Sequence, residues 1–193
     1  MKMRDRVGLV FVVATIPFLM LATACVGGID ESLNSPISNN DTYATIGHLW
    51  DGARSAILRE REPSTDKFNL SLSFALPCTR GGTASYQGSL AGTKSGGAGG
   101  GTLALAGALA GCEFDDITTV RKVSAPSVTF TGTVAIAGDT WSSVNVHMVA
   151  STATINGVAC PGGIDVIITA AAPSAQATST GNACGRAGTI TLP

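Results

Sequence analysis

Charge and aromatic rings are both scarce in this chain. Lys, Arg, Asp and Glu make up 13% of its 193 residues, the formal net charge is −1, and Phe, Trp and Tyr contribute 5%. Lys and Arg form no cluster in the β-patterned region, so the basic footprint that nucleic acid requires is missing. From Lys67 onward the aromatics are Phe68, Phe74, Tyr86, Phe114, Phe130 and Trp141, too few to ring a transmembrane barrel at both interfaces. Histidine is scarcer still. His48 and His147 are the whole supply, and neither lies in a Gly-x-Ser-x-Gly or similar activating context, so both read as surface residues and the catalytic set as none. The expectation is a non-enzyme.

What the chain does have is glycine, 24 residues of it, which together with low charge points to β structure with tight turns. It also has a distinctive N-terminus. A short basic stretch, Lys2, Arg4 and Arg6 with Asp5, precedes the apolar run "VGLVFVVATIPFLMLATA" from Val7 to Ala24. The run is near the length of a spanning helix, yet Pro17 interrupts it and small residues end it, as in a cleavable signal. Those residues lead into Cys25 as "Leu21-Ala-Thr-Ala-Cys25", which resembles the lipobox of bacterial lipoproteins. The favoured leucine sits one place further upstream than usual, with Ala22 third before the cysteine.

That resemblance covers about the first 25 residues, and it implies removal of residues 1–24, a diacylglycerol on the Cys25 thiol and an acylated new amino terminus. It implies a bacterial cell-envelope location, on the outer membrane facing periplasm or cell surface, with the membrane engaged through lipid. Burial of acyl chains contributes ~0.8 kcal/mol per methylene, so several chains on one residue make a stable anchor. Cleavage would leave 169 residues with a net charge of −3, enough for one domain with a real core. Cysteine parity fits. Five cysteines less Cys25 leave Cys78, Cys112, Cys160 and Cys184, an even set suited to an oxidising compartment.

The mature chain divides by composition. Residues 25–40, rich in Gly, Ser and Asn, read as a tether. Over 41–62, Tyr43, Ile46, Leu49, Trp50, Ala53, Ala56 and Ile57 recur at steps of three and four, predicting one amphipathic helix capped by Asp41 or Asn40 and stopped before Pro63. From Lys67 to Pro193 the period becomes two. The inward sets are Leu70, Leu72, Phe74 and Leu76; Tyr86 and Leu90; Leu103, Leu105 and Leu109; Val128, Phe130, Val134 and Ile136; Val144, Val146 and Met148; and Ile164, Val166 and Ile168. A slip in phase after Met148 predicts a bulge near Ala150 or Ser151. Turns are expected over the Gly-rich 92–101, at Gly138-Asp139, over 161–163 and at Pro173-Ser174. The fold class is all-β, an antiparallel meander of seven or eight strands forming a barrel or a sandwich, preceded by the N-terminal helix.

Two segments share a plan. Cys78 to Cys112 and Cys160 to Cys184 each run cysteine, Gly-Gly, strand, turn, strand, cysteine. In an antiparallel hairpin the start of the first strand lies beside the end of the second, which selects Cys78 with Cys112 and Cys160 with Cys184. Each bridge is worth ~3 to 4 kcal/mol by loop-closure entropy. A four-thiolate zinc site lacks close Cys-x-x-Cys pairs, and four free thiols are the plain alternative. Glycines inside the strand pattern, Gly88, Gly107, Gly132, Gly157 and Gly181, form either a trough for the helix or an aromatic ring, or else bulges and turns.

The remaining candidates for chemistry are weak. Glu113-Phe-Asp-Asp116 reads as a solvated acidic loop without an EF-hand pattern, and Lys94-Ser95 within "GTKSGGAGGG" does not follow P-loop order. Thr129, Thr131 and Thr133 share one strand face, where threonine is simply favourable. No metal site or cofactor is expected. The reading is a lipid-anchored envelope protein with a structural or interaction role; the alternative is a lipocalin-like carrier with a small-molecule cavity inside a barrel.

Overall fold

A computed structural model describes residues 36–59, 66–116, 119–138, 140–172 and 176–192. The signal, Cys25, most of the tether, the helix end expected near Glu62, and Asp139 and Pro173-Ser174 lie outside them.

Helix α1 spans Asn39–Arg59. Its cap is Ser38, not Asp41 or Asn40. The Ser38 hydroxyl accepts from the Asp41 N–H at 3.1 Å and donates to Asp41 Oδ2 at 2.6 Å, so serine and the carboxylate three residues on settle the first turn together. The apolar stripe is buried as its spacing requires: Ile46, Leu49, Trp50, Ala53, Ala56 and Ile57 are each at most 1% exposed. Tyr43, at the start of the stripe, is only partly buried.

Among the described residues ten strands follow rather than seven or eight: β1 Lys67–Leu76, β2 Gly81–Ser95, β3 Ala98–Asp116, β4 Thr119–Ala137, β5 Thr140–Ala150, β6 Thr154–Ile155, β7 Val158–Ala159, β8 Ile164–Ala170, β9 Ala177–Ala183 and β10 Arg186–Leu192. Eight of them form one antiparallel path in the order β1-β2-β3-β4-β5-β8-β9-β10. The two-residue β6 and β7 pair with each other, and β6 with β4 at Val123 and Ser124. The expected bulge near Ala150 is therefore the end of β5, where the chain leaves the sheet for this side hairpin. The change of phase was real, and Ala153 and Ile155 are buried.

Strand β1 pairs only with β2 and β10 only with β9, so a single sheet forms that is neither a closed barrel nor a sandwich. Register carries the alternation across the whole sheet. Leu72, Gly88, Leu105, Phe130, Met148, Val166, Gly181 and Gly188 lie in one inward row through successive pairings. The adjacent outward row is Ser71, Ser89, Ala104, Thr131, His147, Ile167, Thr180 and Thr189. The inward side is apolar, and α1 packs against β3, β4 and β10 on it. The helix fills the concavity that a closed barrel would have enclosed.

The turn expected over the Gly-rich 92–101 does fall there, but it takes only two residues. Gly92 pairs with Gly101 and Thr93 with Gly100 inside the β2–β3 ladder, and only Gly96-Gly97 turns, both with positive φ (59° and 78°) as a two-residue hairpin requires. Glu113 to Asp116 likewise belong to β3 rather than to a loop. The glycine trough resolves position by position. At Gly107 a Cβ would sit 2.7 Å from two carbons of the Tyr86 ring, and the same ring covers Gly52 of α1. Tyr86 is thus clamped between helix and strand by two missing side chains. At Gly88, Gly132 and Gly181 a Cβ would strike the neighbouring strand's main chain instead, and Gly157 lies in the β6–β7 turn.

Valine at Gly107 pushes the Tyr86 ring away from β3 and into Gly52 of α1. Gly107→Val should cost about 1–3 kcal/mol by overpacking, read as a lower urea midpoint, whereas Gly107→Ala should cost less. Equal midpoints for wild type and both variants would mean that the clamp is not tight.

Candidate functional site

The unpaired edges leave a seam, and a cleft of about 840 Å³ opens there. One wall is a second stripe of α1, Asn40, Tyr43, Ala44, Gly47, His48 and Asp51, spaced at three and four residues. Leu76, Pro77 and Thr79 come from the end of β1 and the residues after it, Phe114 and Asp115 from β3, Arg121 from β4, and Thr191 and Leu192 from β10. Five elements therefore meet at one surface opening. Ala44, Leu76, Phe114 and Leu192 supply apolar lining among the polar groups.

Ion pairs fix the ends of these elements. Arg121, on a side chain only 6% exposed, donates from Nε to Asp41 Oδ1 at 2.8 Å and so ties the first turn of α1 to β4. Arg186 of β10, also buried, donates from Nη2 to the Ile37 carbonyl oxygen at 2.7 Å. The helix entry is held from both sides. At the rim, Arg80 meets Asp115 at 2.6 Å and Lys122 meets Glu113 at 2.9 Å, both pairs well exposed. Glu113 and Asp115 of the acidic cluster thus each face a cation.

His48 is not the surface residue its helix position suggested. Its ring stacks on Phe114 with centroids 4.0 Å apart and planes 10° from parallel, and Nε2 lies 3.3 Å from Cys112 Sγ. Burial lowers its pKa, so the neutral imidazole is favoured. The Tyr86 hydroxyl, behind the same helix, is buried with no hydrogen-bond partner among the described residues, and burial with the nearby Asp51 charge pushes its pKa up. His147 does fall on the outer face, where Nε2 lies 2.6 Å from Asp165 Oδ1 beside a shallow dish bordered by Asn145 and Ile167.

The cysteines pair as the hairpin geometry requires. Cys78 and Cys112 are joined with Cα atoms 5.2 Å apart, and Cys160 and Cys184 with Cα atoms 4.4 Å apart. Each bridge closes the open end of its hairpin, β2–β3 and β8–β9. Cys25, the expected lipid site, lies outside the described residues. Among those residues no group of three or more His, Cys, Asp or Glu stands together to hold a metal ion. Compared with family models, curated proteins and solved structures, the chain matches none.

Two outcomes follow from the site's electrostatics. Asp41→Ala removes the carboxylate 2.8 Å from the buried Arg121 Nε together with part of the helix cap and should destabilise the fold by more than about 1 kcal/mol, against under about 1 kcal/mol for Asp115→Ala at the exposed pair; paired urea denaturations compare them. The folded chain also binds a proton at His48 less readily than the unfolded chain does. Protons therefore favour unfolding: the contribution of neutral His48 is whole above its ordinary pKa of 6.5 and is lost as pH falls below it toward the lowered value. Urea midpoints measured from pH 8 to pH 5 should drop through that window, and by less in His48→Phe.

Proposed function

We propose that the chain is a lipid-anchored cell-envelope protein, attached to the membrane through Cys25, with a structural or interaction role rather than an enzymatic one. The observation that carries this reading is the filled interior of the sheet. Leu105, Phe130, Val146 and Val166 are each at most 3% exposed, and Trp50 and Leu49 of α1 occupy the concave side where a carrier would hold its ligand. A dry, closed core is what a structural or interaction module requires.

Other features agree with an extramembranous domain hung from a lipid. Apolar rows face inward and Ser, Thr and Asn face outward, the reverse of an outer-membrane barrel. Two disulfides suit an oxidising envelope compartment, and the outer-membrane location, facing periplasm or surface, rests on the lipobox resemblance. The alternative, a small-molecule binding protein, shifts its site from a barrel interior to the seam cleft. At about 840 Å³ that cleft has the size of a small-molecule site.

Native mass spectrometry of the protein extracted from its own membrane in mild detergent separates these readings. The expected species is an acylated, two-disulfide chain beginning at Cys25 with nothing else bound. A retained small molecule would replace the structural reading with the binding-protein one, and a mass without acyl groups would overturn the anchor.

A further inference from the structure

The two disulfides differ in their surroundings, and the difference has chemical content. Cys160 and Cys184 are both buried, 7% and 0% exposed, and Cys160 Sγ lies 3.3 Å from the Gly163 carbonyl oxygen, an acceptor with no proton to give. Cys78 is only partly buried, and its chain neighbours Pro77 and Thr79 line the seam cleft. Its partner Cys112 is fully buried. Against Cys112 Sγ stands His48 Nε2 at 3.3 Å, in a ring held in place by its stack on Phe114. One cysteine of the pair is thus partly exposed, next in the chain to residues that line the cleft, and the other has a proton carrier beside its sulfur.

We propose that Cys78–Cys112 is a thiol–disulfide exchange site, opened by an external dithiol that attacks the partly exposed Cys78 while His48, which lines the cleft, delivers a proton to the departing Cys112 sulfur. The attacking thiol ionises, its thiolate bonds to Cys78 Sγ, and the Cys78–Cys112 bond breaks with its electron pair going to Cys112. The proton released by the attacking thiol enters the imidazole from the cleft, and the Nε2 proton passes to Cys112, leaving the ring neutral. The second thiol of the reagent then displaces Cys78, giving the reduced pair and the oxidised, disulfide form of the reagent. Two electrons move in all. Stabilising the departing sulfur speeds exchange because rates rise as the leaving thiol becomes less basic. Among the described residues, the other ionisable groups lining the cleft with His48 are Tyr43 and Asp51 of α1, Asp115 of β3 paired with Arg80, and Arg121 of β4 paired with Asp41. The partner this chemistry fits is a dithiol protein or small dithiol of the same compartment.

The test uses the full chain in mild detergent under native conditions. Dithiothreitol is added, aliquots are quenched in acid, free thiols are capped with N-ethylmaleimide, and peptide masses report each cysteine. Cys78 and Cys112 should be capped at least about tenfold faster than Cys160 and Cys184, and His48→Phe, which keeps a ring against Phe114, should slow only the first pair by about tenfold or more. With a monothiol in place of the dithiol, the trapped adduct should sit on Cys78. Should His48→Phe not fold, the wild-type rate divided by the thiolate fraction of dithiothreitol should still rise as pH falls through the lowered imidazole range. Equal rates at both bridges, no reduction of either in the folded chain, an adduct on Cys112, an unchanged rate in His48→Phe or a flat corrected pH profile would each overturn the proposal.

Discussion

The Tyr86 ring lies between two glycines, Gly52 of the helix and Gly107 of β3, and the packing of the molecule turns on that contact. A side chain at either position would separate helix and sheet by roughly its own thickness. With both absent, α1 sits close enough for Trp50, Leu49, Ala53 and Ile57 to be sealed against the inward rows. Burying those side chains is worth on the order of 1.5–3 kcal/mol for each large one, which makes the helix the principal cover of the core. Its removal would expose the inward faces of β3, β4 and β10, against which it packs.

A sheet that closes on itself satisfies its own edges, whereas a sheet wrapped around a helix does not. Here the ladder ends at β1 and at β10, and helix-to-sheet packing stands in for the missing pairing. The entry of α1 carries much of that duty. Asp41 both helps to cap the helix and binds Arg121, and Arg186 of the last strand holds the Ile37 carbonyl just before it. First helix and final strand are joined across 149 residues of sequence, which is how a chain with an open seam keeps its two ends in register. The cleft is what remains of the seam after that joining.

The strand alternation was legible because one inward row needs only a period of two: each residue from Leu103 to Ile168 assigned inward by pattern is buried, whereas Leu70, Phe74 and Leu76 on the edge strand β1 are only partly so. The Cys pairing was legible for the same local reason. Closure was not, since whether β1 meets β10 depends on curvature accumulated over eight strands and on what occupies the concave side. Strands β6 and β7, two residues each, are too short to show any period. In the Gly-rich 92–101 the turn was legible but not its length, since cross-strand pairing with β1 and β4 carries the flanking glycines into the ladder. Ser38 was overlooked as a cap, although Ser-Asn-Asn-Asp has the spacing of a capping box.

The site was the least legible part, for a reason that its residues make plain. Tyr43, Pro77, Phe114, Arg121 and Leu192 share a cleft and share no sequence neighbourhood. His48 shows what was lost. Judged along the helix it is a polar residue on a half-exposed stripe; judged across the fold it stacks on Phe114 and faces a disulfide sulfur. Both positions arise from one register, since Cys112 and Phe114 lie two apart on β3 and both turn inward, toward α1. Docking of the helix and the environment of that disulfide are therefore one structural event. Any change that shifts α1 along its axis by a single turn moves the imidazole by about 5.4 Å and leaves Cys112 without it.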